Sequence, residues 1–414
     1  MSDKLEIALL GRKLGHSLSP EIHEYLGSYD YTLFPLEPDE LDAFFSRNDF
    51  RGLNVTIPYK LDVVKYCGEL SDTARRIGCV NTVVRRPDNT FFGDNTDYFG
   101  FSYMAKSAGI SFENKKVLIL GNGGASLTAR LVAADEGASS VVVVARKLED
   151  NFTNIDRHSD AQIIVNCTPV GMYPNNGERI VDLSLFPCLE GVLDMIYNPA
   201  RTPLLLDAAD RGVRCANGLT MLVAQAAKSA EYFRIKDEPV CDIPSIVEKI
   251  SRAQKNILFV GMPGCGKSTL ARAVAESTGR EYIDTDEMII KKAGKSIPAI
   301  FADHGEEYFR DIESECVKEA GKLSGRVIAT GGGAVLRAQN RDALRQNSFV
   351  IFLKRDISLL SSDGRPLSKS QSALEEMYEK RLPLYRLCAD AETDVRAEKA
   401  DTFADTLKLL ELIK

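Results

Sequence analysis

Short apolar runs recur along the chain, and each is followed by a stretch whose apolar positions return every three or four residues. In the first half the runs fall at 7–10, 31–36, 53–56, 117–120, 141–145, 163–166 and 192–195. Short apolar runs read as buried strands and the longer periodicity as helices; their alternation predicts an α/β fold with mostly parallel sheets. Between 78 and 100 the pattern changes. Gly78-Cys79-Val80-Asn81-Thr82 leads into a predicted hairpin with a Pro87-Asp88-Asn89 turn, and its exit puts Asp97 in the first turn of a helix, where a carboxylate is favoured. The alternation resumes at 256–260, so the pattern runs through almost the whole chain.

The 256–260 strand opens into Gly261-Met262-Pro263-Gly264-Cys265-Gly266-Lys267-Ser268-Thr269, which fits the phosphate-loop pattern G-x-x-x-x-G-K-[ST], and helical spacing follows over 268–278. Gly264, Cys265, Gly266, Lys267, Ser268 and Thr269 are therefore candidate nucleotide contacts. The backbone N–H groups and the helix N-terminus make a site for ATP phosphates. Lys267 would reach the outer phosphates and Ser268 would help hold Mg²⁺. About 250 residues precede this loop, too many for an extension of one domain, so two machines joined end to end are expected.

Composition narrows the partners. Of 414 residues, 59 are acidic and 52 basic, a net charge of −7. That disfavours a broad nucleic-acid surface and leaves anionic small molecules to local Arg and Lys clusters. Nine cysteines are scattered without a Cys-x-x-Cys pair, which suggests reduced thiols in a cytoplasmic protein. No apolar run reaches membrane-spanning length, so no membrane partner is expected.

Several loops carry candidate chemistry. Ser17 and Ser19 stand two apart after the first strand and could aim at one oxyanion; equally, Ser19 before Pro20 is a helix cap, and taken alone the cap is the better reading. His16 and His23 have no partner at metal-ligand spacing and read as structural. Gly52 to Lys60 is a strand ending at Pro58 that delivers Lys60 to a strand–helix junction. The strand at 117–120 runs into Gly121-Asn122-Gly123-Gly124-Ala125-Ser126 and a helix, a turn suited to a dinucleotide pyrophosphate. Arg146 and Lys147 end the next strand, where a basic pair favours the 2′-phosphate of NADP(H) over NAD.

Residues 1–235 resemble a shikimate dehydrogenase. The resemblance rests on an ordered set: Ser17-Leu18-Ser19-Pro20, Asn54-Val55-Thr56-Ile57-Pro58-Tyr59-Lys60, Val80-Asn81-Thr82, Asn95-Thr96-Asp97, the 121–126 turn, Asn166 to Met172, Asp194 to Pro199, and Asn217 to Gln225. It implies that Ser17 and Ser19 hold the substrate carboxylate. Thr56, Asn81, Asp97 and Gln225 would bind ring hydroxyls, with Tyr197 also at the substrate. Lys60 and Asp97 would be the catalytic pair. Gly121, Asn122, Gly123, Gly124, Ala125, Arg146, Lys147, Thr168 and Met195 would line the cofactor, and Gly218 would lie beside the nicotinamide. The implied layout is a substrate domain over 1–105 and 217–238 and an inserted Rossmann NADP domain over 106–216. Lys13, Glu24, Asn122 and Ala145-Arg146-Lys147 depart from the family pattern; none touches the catalytic pair.

A charged stretch over 239–254, with a short helix from Pro244 to Ala253, reads as the linker. Beyond it, Asp284 ends a strand near the phosphate loop, and Asp286 faces the same way if the chain is extended; both could instead cap the next helix. Residues 255–414 resemble shikimate kinase through the phosphate loop, Asp284-Thr285-Asp286, Phe309-Arg310, Gly331-Gly332-Gly333, Arg365-Pro366-Leu367 and Arg381-Leu382-Pro383-Leu384-Tyr385. A nucleoside-monophosphate-kinase-like parallel sheet follows. The resemblance implies that Asp286, Arg310, Gly332, Gly333 and Arg381 bind shikimate. Ser268 and Asp284 would hold Mg²⁺, Lys267 and Asp286 would act in catalysis, and Arg365 would close as a lid over the transferred phosphoryl group. The expectation is a bifunctional enzyme that reduces 3-dehydroshikimate and phosphorylates the product, as a monomer or homodimer. The rivals are a quinate- or NAD-preferring first half, or one half degenerate and regulatory. Retention of Lys60, Asp97, Lys267, Ser268, Asp284 and Arg365 argues against the second.

Overall fold

A computed structural model describes residues 5–15, 17–233, 242–360, 371–396 and 398–413. The chain forms two compact units, Met1–Pro169 with Ile180–Tyr197 and Asp207–Ile250, and Ser251–Lys414 with Val170–Arg179 and Asn198–Leu206.

The first unit holds two sheets. One comprises β1 (Leu5–Gly11), β2 (Tyr31–Pro35), β3 (Phe50–Val55), β4 (Glu69–Leu70), β5 (Thr82–Arg85) and β6 (Phe91–Asp94), in the order β2-β1-β3-β5-β6-β4. Strands β2, β1 and β3 pair in parallel, while β3–β5 and β5–β6 are antiparallel. The expected hairpin is thus the antiparallel wing of a mixed sheet. The second sheet is β7 (Lys116–Leu120), β8 (Ser140–Val144), β9 (Ile163–Asn166), β10 (Gly191–Asp194) and β11 (Arg214–Ala216), all parallel, in the order β11-β10-β9-β7-β8. Its order reverses between β7 and β9, the place where doubly wound sheets bind ligands at their carboxyl edge.

Helices in chain order are α1 (Ser19–Glu24), α2 (Leu41–Arg47), α3 (Asp72–Ile77), α4 (Asp97–Ser107), α5 (Gly124–Asp135), α6 (Pro203–Asp210), α7 (Leu219–Phe233) and α8 (Ile243–Gln254). Ser19 does not cap α1: Leu18 is the N-cap and Ser19 is already helical, with no side-chain cap bond. Its hydroxyl is therefore free of the capping role that its place before Pro20 suggests. Helices α4 and α7 pack so closely that a Cβ on Gly100 would lie 2.7 Å from the Met221 carbonyl oxygen and 2.9 Å from Gln225 Cβ. Glycine at that position sets the helix separation.

The short helix expected inside the linker forms as α8, and its Ile246 and Ile250 are buried in one apolar cluster with Ile22, Leu26, Leu219 and Val223. It is amphipathic, so it packs where a loose tether would not. Residues 170–179 and 198–206, expected inside the nucleotide domain, belong to the second unit. There Arg201 makes a forked ion pair with Asp390 and donates to the carbonyls of Arg345 and Ser348.

The second unit is built on one parallel sheet: β12 (Asn256–Val260), β13 (Tyr282–Asp284), β14 (Val327–Ala329), β15 (Ser348–Lys354) and β16 (Ala391–Asp394), ordered β13-β14-β12-β15-β16. Its helices are α9 (Lys267–Thr278), α10 (Thr285–Ala293), α11 (Ile297–Gly321), α12 (Ala338–Gln346), α13 (Gln371–Cys388) and α14 (Lys399–Leu410). The core strands β12 and β15 are buried nearly end to end, as a sheet covered on both faces requires. Helix α11 is interrupted at Gly305, whose φ of 81° breaks the helical path just before Arg310. No helix among the described residues is long and apolar enough to cross a membrane.

Candidate active sites

In the first unit Lys60, Asn81, Asp97 and Gln225 come from four separate segments and meet. Lys60 Nζ lies 2.6 Å from Asp97 Oδ2, with the two side chains 28% and 14% exposed. Asn81 Nδ2 donates to Asp97 Oδ1 at 3.0 Å and to Gln225 Oε1 at 3.3 Å. The backbone locks this geometry: Val80 N–H donates to the Lys60 carbonyl, and Thr96 N–H donates to Asn81 Oδ1 at 2.8 Å. Asp97 is the first residue of α4, as expected, with Thr96 as the N-cap.

Ser17 Oγ donates to Ser19 Oγ at 3.1 Å. A hydrogen-bonded chain runs from Tyr31 back to the Lys60 cluster. Tyr31 donates to Asn54 Oδ1 at 2.9 Å. Asn54 Nδ2 donates to Thr82 Oγ1, and Thr82 donates to Asn81 Oδ1. Tyr31 stacks on the buried His23 ring at a centroid distance of 3.8 Å. Burial lowers the His23 pKa to about 3, so the ring is neutral and structural, as its isolation in sequence suggested. Tyr31, Asn54, Thr82 and Thr96 were not singled out as site residues. Asn54, Thr82 and Thr96 lie inside or beside the motifs, but only the fold reveals that their side chains connect; Tyr31 carries no local signal at all.

At the switch point of the second sheet, Gly121 has φ 105°, and a Cβ there would lie 2.8 Å from Thr168 Cγ2. The loops after β7 and β9 therefore touch. Gly123 and Gly124 face open space at the start of α5, a cradle whose N–H groups suit a pyrophosphate. A Cβ on Gly218 would lie 2.2 Å from the Met195 carbonyl oxygen, and Gly218 N–H donates to the Ile196 carbonyl. Only glycine fits this contact. Arg146 and Lys147 are exposed just past β8. These residues fit an NADP(H) cofactor. Tyr197 packs against the Leu219 and Val223 cluster.

In the second unit β12 leaves into the phosphate loop, where Gly264 and Gly266 take φ of 76° and 105°. Lys267 is buried, and its ammonium donates to the carbonyls of Gly261 and Met262, both at 2.9 Å. Ser268 Oγ donates to Asp284 Oδ2 at 2.9 Å. Asp284 is also the N-cap of α10, accepting from Asp286 N–H, so it caps the helix and still faces Ser268. Two hard oxygen donors beside a phosphate loop fit Mg²⁺, which takes few protein ligands and fills its shell from phosphates and water. Tyr282 also donates to Asp284 Oδ2, at 2.7 Å.

The three glycines after β14 bring the remaining groups together. A Cβ on Gly331 would lie 2.6 Å from Asp286 Oδ1, one on Gly332 2.5 Å from Pro263, and one on Gly333 2.1 Å from Arg310 Nη1. Arg381 Nη1 and the Tyr385 hydroxyl both donate to the Gly332 carbonyl. Arg310 is buried and held by Glu313 at 2.7 Å and Glu306 at 3.0 Å. Burial, helped by Asp284, raises the Asp286 carboxyl to about 6, while Lys267 and Arg310 oppose the rise. Arg365 lies outside the described residues. A cleft of about 720 Å³ runs from the phosphate loop and Asp286 to Arg355, Val395, Arg396, Lys399 and Phe403. Sequence reasoning missed this far wall and Glu313. The basic residues that follow β15 and β16 were its one available signal, since the carboxyl edge of a parallel sheet is where ligands sit.

A dinucleotide sheet with a Lys–Asp pair, and a phosphate-loop sheet beside a buried arginine, define an oxidoreductase and a phosphotransferase in one chain. Over 247 residues the chain is 34% identical to a shikimate dehydrogenase (NADP(+)) of Clostridium beijerinckii, covering 55% of this chain and 90% of that protein. Over 142 residues it is 44% identical to a shikimate kinase of the same organism, covering 33% of this chain and 83% of that one. Residues 9–83 match the shikimate dehydrogenase substrate-binding domain and residues 263–411 match shikimate kinase. The chain belongs to both families, shikimate dehydrogenase in its first half and shikimate kinase in its second. A chorismate mutase/shikimate 5-dehydrogenase fusion protein from Clostridium acetobutylicum shares the first fold, with a TM-score of 0.55 at 35% identity over 60% of this chain and 97% of that one.

Proposed function

We propose that the first unit reduces 3-dehydroshikimate to shikimate with NADPH, and that the second transfers the γ-phosphoryl group of ATP to the shikimate 3-hydroxyl. The carrying observation is convergence: in each half, residues far apart in sequence meet in a cluster whose chemistry suits one carboxylated, hydroxylated ring.

In the reduction, bound NADPH supplies a hydride to the carbonyl carbon. Lys60 gives the proton that the carbonyl oxygen then needs, and its charge stabilises that oxygen as it becomes an alkoxide. Asp97, 2.6 Å away, keeps the ammonium oriented. Asn81, Gln225 and Thr56 hold the ring hydroxyls, and Ser17 and Ser19 hold the carboxylate. Arg146 and Lys147 select the 2′-phosphate.

In the phosphorylation, Arg310 and Arg381 take the carboxylate, with Glu306 and Glu313 fixing the guanidinium of Arg310. Asp286 orients the 3-hydroxyl and accepts its proton. Lys267 and Arg365 neutralise charge on the moving phosphoryl group, and Ser268 and Asp284 hold Mg²⁺. The base of ATP lies toward Arg355, Arg396 and Phe403. On this reading the enzyme works in the cytoplasm as a monomer or homodimer, which light scattering would distinguish.

The test is a coupled assay on the purified chain. With 3-dehydroshikimate, NADPH and MgATP present, shikimate 3-phosphate should form. Omitting ATP should stop the reaction at shikimate, and omitting NADPH should abolish both products. Formation of no shikimate from the complete mixture would overturn the reading of the first half; failure to phosphorylate added shikimate would overturn that of the second.

A further inference from the structure

We infer that Tyr282 is a positioning residue for the metal-holding carboxylate of the kinase site, which rests on the reading of Asp284 given above. Tyr282 and Asp284 stand two apart on β13, so their side chains lie on one side of the strand. The Tyr282 hydroxyl donates to Asp284 Oδ2 at 2.7 Å, and Ser268 Oγ donates to the same oxygen at 2.9 Å. Asp284 Oδ1 accepts from Asp286 N–H at 2.9 Å. Both carboxylate oxygens are thereby fixed, one by the backbone of α10 and one by Tyr282.

One contact holds the ring: the Arg272 guanidinium lies over it at 4.7 Å, and Arg272 is in turn paired with Glu287 at 2.8 Å. The ring is thus braced from α9, and through Glu287 from α10, the two helices whose N-termini frame the site. When Ser268 turns its oxygen to a metal, Tyr282 remains as the side-chain donor to Asp284 Oδ2. Partners of this kind, one step behind a metal-holding group, orient it and set its affinity. Phenylalanine would keep the ring under Arg272 and remove the hydroxyl, and with it the bond to Asp284 Oδ2.

The experiment compares the full-length protein with Tyr282→Phe and Asp284→Asn. Titration calorimetry measures ADP binding with excess Mg²⁺ and with EDTA, and Mn²⁺ binding in the presence of ADP is followed by electron paramagnetic resonance. Tyr282→Phe should weaken Mn²⁺ binding by about tenfold. It should shrink the gain in ADP affinity conferred by Mg²⁺ and leave ADP affinity in EDTA unchanged. Unaltered Mn²⁺ binding in Tyr282→Phe, alongside weakened binding in Asp284→Asn, would overturn the role of Tyr282 alone. An equal loss of ADP affinity in EDTA would also overturn it, by making the tyrosine a support of the loop and not of the metal site. Unaltered Mn²⁺ binding in Asp284→Asn would remove the reading of Asp284 itself, and this inference with it.

Discussion

Replacing Lys60 by alanine separates catalysis from stability in the first unit. The ion pair is short but partly exposed, with Lys60 28% and Asp97 14% accessible. Asp97 keeps the amide donor of Asn81 at 3.0 Å when the ammonium is gone. A partly solvated pair of this kind contributes on the order of 1 kcal/mol or less to folding, so the variant should fold normally. Catalysis should suffer far more. A positioned proton donor contributes about 100- to 10,000-fold, and here the same group also stabilises the alkoxide. A fall in kcat of about 1,000-fold, or about 4 kcal/mol of barrier, is expected. Asp97→Asn should fall less far, because its amide can still accept from Asn81 and Lys60 remains to donate. The double variant should be no slower than Lys60→Ala, since the two groups act as one unit and their losses do not multiply. The assay follows NADPH absorbance with 3-dehydroshikimate, and phosphorylation of added shikimate by the same sample serves as the internal control. A Lys60→Ala protein within about tenfold of wild-type kcat would refute the assignment, because so small a loss is below what a general acid contributes. Loss of kinase turnover as well would refute the independence of the two activities.

Three further outcomes follow from the same contacts. The buried His23 stays neutral down to about pH 3, whereas in the unfolded chain it takes up a proton near 6.5; its contribution is therefore complete above pH 6.5 and is lost as pH falls toward 3, by up to roughly 5 kcal/mol. His23→Phe should flatten the pH dependence of urea unfolding of the first unit between neutral pH and 4, and an unchanged slope would count against a neutral His23. Gly100→Ala places a methyl group 2.7 Å from the Met221 carbonyl, so α7 must move; about 1–3 kcal/mol of stability and a raised KM for 3-dehydroshikimate are expected, with thermal melts and initial rates as the measures. Arg310→Lys keeps the charge but loses the fork that Glu306 and Glu313 hold, so the kinase KM for shikimate should rise at least about tenfold with dehydrogenase rates unchanged; equal KM values would exclude Arg310 from the carboxylate site.

Most strands were readable because they are apolar runs buried on both faces: β9, β10 and β12 are buried throughout, and such runs stand out without knowledge of their neighbours. The edges were less readable. Strand β11 is three residues long and half-exposed, and β4 is two, so neither leaves an apolar trace. The hairpin β5–β6 announced itself through its turn. The linker helix was legible over 244–253, but its packing was not: Ile246 and Ile250 stand four apart, one face of α8, within a segment whose mean composition is polar.

The sites divide along a similar line. A residue proposed to present one fixed group to a ligand, such as Lys60, Lys267 or Arg310, sits in a pattern of neighbours that local backbone geometry demands, and that pattern survives in one dimension. Gly331, Gly332 and Gly333 belong with them, because Asp286, Pro263 and Arg310 each stand where a side chain would be. Supporting residues obey no such demand. Tyr31 reaches Asn54 from the far strand of the β2-β1-β3 trio, and Tyr385 reaches the Gly332 carbonyl across the second unit. In each case the requirement is a hydroxyl at a point in space, which many sequence positions could supply. Glu313 lies between these extremes: it stands three residues from Arg310 on one helix, so its partner could be read from spacing alone. Its burial, at 1% exposure, could not, and burial is what turns an ordinary helix pair into a fixed guanidinium. The chemistry of each pocket is therefore written locally, while its precision is written in contacts that exist only once the sheets have formed.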